Sequence, residues 1–292
     1  MQFDLSLLPT AEKQYYLQQI VAPRPICFAS TIDKEGHVNL SPFSFFNVFS
    51  AQPPIVIFSP ARRVRDNTTK HTLENVQEVP EVVIHMVTED MVQQQSLASC
   101  EYPRQVNEFI KAGFTPEPAH KIRPPMIKEC KVKMECRVQE IKPLGTEGGA
   151  GNLVICEVLM LHIDDSLLDT DKKMDPRRLP LVARLGGDWY SVVNEQNLFQ
   201  VAKPNTQLGM GMDALPVSIR NSLIFSGNDL GQLANCTRIP DVDPAYEDAH
   251  LKQIIQYFSI NPEEMEKELH RYAKERLRQG DVQAAWQILL AS

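Results

Sequence analysis

Lys131-Val132-Lys133-Met134-Glu135-Cys136-Arg137-Val138-Gln139-Glu140-Ile141 is the stretch on which the fold turns. Val132, Met134, Cys136 and Val138 alternate with Lys133, Glu135, Arg137 and Gln139. A period of two belongs to a strand, and the charged set predicts a sheet with one face in water. Antiparallel sheets commonly leave one face solvated, whereas crossover helices cover both faces of parallel ones. Residues 144–152 are a glycine-rich connection, and residues 153–163 are apolar almost throughout. That second run predicts a strand covered on both faces, in part by a second subunit.

Working back toward the N-terminus, residues 26–32, 38–40, 55–58 and 82–87 read as further short strands. Asp33-Lys34-Glu35-Gly36 is a good hairpin loop between the first two. The strand spacing fits an antiparallel barrel better than alternating βαβ units. Short helices are expected over residues 12–19, 72–76 and 106–112. Beyond residue 203 the character changes: residues 204–211 read as a linker and the remainder as helical. Two domains are therefore expected, residues 1–203 and 204–292. Asn261-Pro262-Glu263-Glu264 has an Asn cap, a first-turn Pro and a Glu three after the cap. That helix should run to about residue 279, where Gly280 can end it. Asp281 can then cap a last helix carrying Ala285, Trp286, Leu289 and Leu290. One such pair cannot bury its own face, so an appendage that docks or braces a dimer is expected, not a solenoid.

The 292 residues carry a formal net charge of −7 and are 43% hydrophobic. The acidic balance argues against a broad nucleic-acid footprint, which needs a basic face. The six cysteines form no CxxC pair and no zinc spacing. Several lie in apolar runs, as in Ile26-Cys27-Phe28, so packed thiols in a reducing compartment are expected. No apolar run approaches the roughly 20 residues that span a membrane, and the start lacks a signal-peptide pattern. A cytoplasmic protein is the expectation.

Against that acidic background, residues 62–71 hold three Arg, one Lys and a single Asp. Guanidinium groups, threonine hydroxyls and backbone N–H groups together suit a small anion such as phosphate. Upstream, Ser30-Thr31 and the segment Asn39-Leu40-Ser41-Pro42-Phe43-Ser44-Phe45-Phe46-Asn47 interrupt apolar strands with small polar groups. Hydroxyls beside three phenylalanines suit a planar heteroaromatic ring with a polar edge. Gly148-Gly149-Ala150-Gly151 leads into a strand, not a helix, so it is no dinucleotide fingerprint. No phosphate-loop motif, HExxH or assembled Ser/His/Asp triad is present.

These pieces together resemble a known family. Pro23-Arg24-Pro25-Ile26, Ser44-Phe45-Phe46-Asn47, Phe58-Ser59-Pro60 and Arg65-Asp66-Asn67-Thr68 are similar to the flavin reductase-like, FMN-binding split-barrel family, flavoredoxin group. Gly151-Asn152-Leu153-Val154 and Arg184-Leu185-Gly186-Gly187 through Tyr190 extend the likeness, which covers about residues 5–200. The resemblance implies a mainly β fold: a six-stranded antiparallel Greek-key barrel with peripheral helices, here with a C-terminal helical extension. It also implies a homodimer with one FMN per subunit near the interface. Thr31, Ser44 and Phe45 would line the isoalloxazine and ribityl chain, with Ser59 beside them. Arg65 and Thr68 would hold the phosphate, joined by Asn67 and Asn75. Tyr190, with Trp189, would approach from the C-terminal end of the barrel. Arg62, Arg63 and Arg65 leave open which guanidinium meets the phosphate.

The implied activity is an NAD(P)H-dependent flavin reductase, with NADH or NADPH as reductant. Hydride would pass to FMN N5 and electrons on to free flavin, a small acceptor or a monooxygenase partner. Two alternatives stand beside it, a flavoredoxin-like carrier reduced by a protein donor and a non-redox flavin-binding module. The flavin would carry the chemistry, so no protein acid, base or metal is required, and His162 is at most a supporting residue.

Overall fold

The computed structural model describes residues 1–201 and 207–291. The expected boundary at 203/204 and the first residues of the expected linker lie outside them. The chain divides into two compact units, Met1–Phe199 and Gln200–Ser292.

In the first unit the strands are β1 (Arg24–Pro25), β2 (Cys27–Ile32), β3 (Val38–Phe43), β4 (Phe46–Ala51), β5 (Pro54–Phe58) and β6 (Glu81–Met86). They continue with β7 (Pro116–Glu117), β8 (Met126–Ile127), β9 (Val132–Pro143), β10 (Asn152–Ile163), β11 (Val182–Arg184) and β12 (Tyr190–Val192). Seven of these form one sheet in the order β3-β2-β6-β9-β10-β5-β4, antiparallel throughout. Its two edges, β3 and β4, are joined by Ser44 and Phe45 alone. Three Cα–Cα steps hold Phe43 and Phe46 within about 11 Å, so the sheet must curl until its edges nearly meet. No ladder joins β3 to β4 among the described residues. The result is a barrel split at that corner, six-stranded when β3 and β4 are counted as one bent strand.

The barrel interior is filled by Val82, Ile84, Cys136, Val154, Cys156 and Phe58, with Leu73 and Val76 of the helix His71–Glu78 packed into the same cluster. Cys136 turns into this cluster as the alternation of β9 requires, while Val132, at the start of β9, is buried against Leu167 and Leu179. Glu135 departs from it. Expected on the wet face, it is fully buried, accepting hydrogen bonds from the backbone N–H of His120 (3.0 Å) and Lys121 (2.6 Å). His162 Nε2 lies 2.7 Å from the same carboxylate. A buried carboxylate is tolerable when its oxygens are satisfied in this way. On β10 the outward side chains stay half-exposed within one chain, and Leu161 is exposed.

Helices α1 (Thr10–Ile20), α2 (His71–Glu78), α3 (Val92–Ala98) and α4 (Glu108–Ala112) surround the barrel. The last starts two residues later than expected because Asn107 caps it, its Oδ1 accepting from Phe109 N at 2.9 Å. β1, β11 and β12 form a small antiparallel sheet in which Arg24 lies opposite Arg184 and Arg184 opposite Tyr190.

The second unit contains α5 (Val217–Arg220), α6 (Gly227–Ala234), α7 (Ala249–Tyr257), α8 (Pro262–Arg278) and α9 (Val282–Leu289). Asn261 caps α8, Gly280 takes a positive φ of 79° just beyond it, and Asp281 caps α9. The α8–α9 pair does not bury its apolar face alone. Leu269, Leu277, Trp286 and Ile288 pack with Leu233 of α6 and Leu251 and Ile254 of α7.

Candidate functional site

Two cavities, of about 740 and 270 Å³, share Gln18 and Arg24 as walls. The β3–β4 corner serves both, with Phe45 lining the larger and Ser44 the smaller. The corner is tied down where Ser59 N donates to Phe45 O at 2.8 Å. Leu17 and Val21 of the α1 region and Val64 of the basic loop supply further apolar wall to the larger cavity.

The basic loop is shaped by its own backbone. Arg63 N donates to Thr68 O and Asn67 N to Arg63 O, both at 2.9 Å. Asn67 closes this turn with φ of 58°, a left-handed conformation that Asn tolerates better than most residues. Against it lies the glycine-rich connection: Arg62 N donates to Ala150 O, and Gly149 N to Arg62 O. A Cβ at Gly148 would come within 3.0 Å of Arg63 O, so the close approach requires glycine there. The glycines thus seat the basic loop.

Each arginine of this loop already has partners. Arg62 donates from Nε to Asn67 Oδ1 (2.6 Å) and from Nη2 to Asn67 O (2.8 Å). Arg63 reaches Glu101 (2.9 Å), Thr68 Oγ1 (2.8 Å) and Thr69 O (2.5 Å). Arg65 is exposed and contacts Asp66 and Glu101 at 3.0 and 2.9 Å. Hydrogen bonds from Arg65 and then Arg63 hold the Glu101 carboxyl below its ordinary range. The Thr68 side chain and backbone, followed by Arg65, lower that of Asp66 to about 2. Both carboxylates are therefore charged near neutrality. Lys70 differs. It is half-buried on the wall of the larger cavity, with its ammonium 5.6 Å from the Phe43 ring centre. No carboxylate lies within 4.0 Å of it among the described residues. Burial, followed by Arg63, pushes its pKa down.

At the smaller cavity, buried Arg24 donates from Nη1 to Gln18 O (2.6 Å) in the last turn of α1 and to Val21 O (2.5 Å) of its cap. Its Nη2 reaches Leu185 O at 2.7 Å. The Arg184 guanidinium lies 4.4 Å from the Tyr190 ring centre and is hydrogen-bonded to the Tyr190 hydroxyl.

Of the residues expected at the site, Ser44, Phe45, Arg65 and Tyr190 line the cavities, and so do Arg62 and Arg63. Thr31 and Asn75 are buried in the barrel, where Asn75 Nδ2 donates to Thr31 Oγ1 at 3.2 Å. Ser59 is buried against Gly151. Asn67 and Thr68 hold the arginines of their own loop, Trp189 is exposed, and His162 lines neither cavity. Lys70 also lines the larger cavity, Arg184 the smaller and Arg24 both; none was an expected site residue although all three lie inside stretches singled out in the sequence.

The geometry defines a split-barrel protein with a cation-rimmed cavity at its seam. A family model described as flavin reductase like domain matches residues 21–182, more than half of the chain. The protein belongs to that flavin reductase-like family. A protein of Aquifex aeolicus without an assigned activity is 38% identical over 171 residues, spanning 59% of this chain and 85% of its own. Nitrilotriacetate monooxygenase component B from Bacillus cereus is 27% identical, with a TM-score of 0.64, covering 69% of this chain and 98% of that one. A structure from Shewanella frigidimarina, described as a flavin reductase with a split barrel domain, is 25% identical with a TM-score of 0.58. It covers 69% of this chain and all of that one. Family and neighbours together support a flavin-binding oxidoreductase. No helix among the described residues is long and apolar enough to cross a membrane.

Proposed function

We propose that the protein is a cytoplasmic, homodimeric FMN-binding oxidoreductase, reduced by NADH or NADPH and passing electrons to free flavin, a small acceptor or a monooxygenase partner. The observation that carries this reading is Lys70, an ammonium with no carboxylate within 4.0 Å among the described residues, which lines one cavity with Arg63, Arg65 and Phe45. The donor set fits FMN. Cations gather along one wall for a phosphate of nearly two negative charges, and Leu17, Val21 and Phe45 offer apolar surface to the ring. A protein of net charge −7 needs such a local patch to hold an anion. Lys70 and Arg63 would bind the phosphate, Arg65 would screen it at the rim, and Phe45 would orient the ring. Bound FMN would supply the hydride acceptor.

The Bacillus cereus neighbour is a monooxygenase component, which supports a monooxygenase partner here. An apolar groove of about 380 Å³ lined by Val48, Ile55, Met134, Val158 and Leu161 supports self-association. The test is a visible spectrum of the purified protein and an FMN titration, followed by anaerobic mixing with NADH and NADPH. Quenching of FMN fluorescence, thermal stabilisation and bleaching of the flavin band are expected. A protein that neither quenches nor is stabilised by FMN refutes the reading. Binding without bleaching assigns the reductant role to a protein donor.

A further inference from the structure

We infer that the smaller cavity is a subsite for a small organic anion, carboxylate- or phosphate-bearing, gripped by Arg24 and Arg184. Its role as the place of a second substrate rests on the flavin reading; the anion site itself does not. Among the residues lining this cavity are two arginines and no carboxylate. Arg24 spends its hydrogen bonds on the neutral carbonyls of Gln18, Val21 and Leu185, and its Nε is buried with no partner. Arg184 donates to the Tyr190 hydroxyl and, at 2.5 Å, to Gly187 O. Its nearest carboxylate is Asp188 at 4.0 Å, and that side chain is fully exposed. Among the described residues Arg24 has no carboxylate within 4.0 Å, and Arg184 has only this long, solvent-exposed contact.

Sheet register makes the juxtaposition obligatory. Arg24 and Arg184 are Cα partners on β1 and β11, and like charges directly opposite each other destabilise a sheet. Burial, and then Arg184, lowers the Arg24 pKa, as expected for a cation facing another cation. An anion between the two would relieve this repulsion and gain charge-assisted bonds. In the basic loop, by contrast, Glu101 and Asp66 already do so. At about 270 Å³ the cavity falls just below the usual 300–1,000 Å³ of small-molecule pockets. It therefore suits a single-ring or short-chain acid, and not a dinucleotide. Its position beside the larger cavity would set such an acid next to the bound cofactor.

The test is isothermal titration calorimetry on the full-length protein, with and without FMN, using benzoate, the neutral isostere benzamide, and inorganic phosphate. Benzoate or phosphate should bind and benzamide should not, and the tighter of the two anions names the ligand group. Arg184→Gln should weaken that binding by about ten- to a hundred-fold, the range of one charged hydrogen bond, while FMN affinity changes by less than about twofold. The inference is overturned if neither anion gives heat, if benzamide matches benzoate, or if Arg184→Gln leaves anion affinity unchanged. It is overturned equally if Arg184→Gln weakens FMN as much as the anion, since the arginine would then serve the cofactor phosphate. A protein that ignores FMN yet binds benzoate through Arg184 sustains the subsite while the flavin reading falls.

Discussion

The basic loop at residues 62–70 and the β1–β11 pair both bring arginines to a cavity wall, and they handle the charge in opposite ways. In the loop, three guanidiniums are held by Asn67, Asp66 and Glu101, whereas Lys70 has no carboxylate within 4.0 Å among the described residues. In the strand pair, two arginines face each other with neutral hydrogen-bond partners, and the one nearby carboxylate among the described residues is the exposed Asp188 at 4.0 Å from Arg184. Charge density along a sequence is thus a poor guide to charge available to a ligand. What matters is which cations are left uncompensated after folding.

The sharpest way to break this comparison is Arg24→Met. It removes three bonds from a buried cation to backbone carbonyls and should lower stability by about 3 kcal/mol, read by urea denaturation. A loss under 1 kcal/mol would mean that ligand binding, not structure, keeps Arg24 in place. Next in size, Lys70→Met should weaken FMN by about 1.5–3 kcal/mol in a fluorescence titration, the range for a bond to a charged group. The depressed Lys70 pKa adds a sign. Its positive charge is lost as pH rises, so FMN affinity should start to fall at lower pH than an ordinary lysine near 10.5 would give. Glu101→Gln frees Arg63 and Arg65 and should tighten FMN by about three- to ten-fold, with a steeper salt dependence. Weaker binding in that variant would show that Glu101 positions the arginines instead of competing for them. Smallest of all, Arg65→Ala should cost less than about threefold, because an exposed, doubly paired guanidinium has little to lose.

Local patterns made much of the fold legible. The period of β9 is written in Val132, Met134, Cys136 and Val138, and the ends of α8 in Asn261, Pro262 and Gly280, because each signal acts within a few residues. Glu135 was misread because what covers it, the backbone at His120 and Lys121, comes from 14 or 15 residues away. β4 was not visible as a strand. The register shifts between Val48 and Ser50, which breaks the alternation that marks a strand in sequence. For the site, the composition of residues 62–71 was readable, but the pairing of Arg65 with Glu101 spans 36 residues and was not. Thr31 and Asn75 look like ligand-facing polar groups in sequence; in the fold both are buried, and Asn75 Nδ2 donates to Thr31 Oγ1, a pairing across 44 residues that the sequence does not display.

The two-residue corner at Ser44 and Phe45 spans the split in the barrel and also partitions the two cavities. It therefore works as a shared hinge-post between two rooms. One added residue there would slip β4 against β5 and turn Phe46 and Val48 to the opposite face. The walls of both rooms would move together. Specificity can be retuned at the larger cavity through Leu17 or Val64 and at the smaller through Gln95 or Ser99, but a change at the corner retunes both at once.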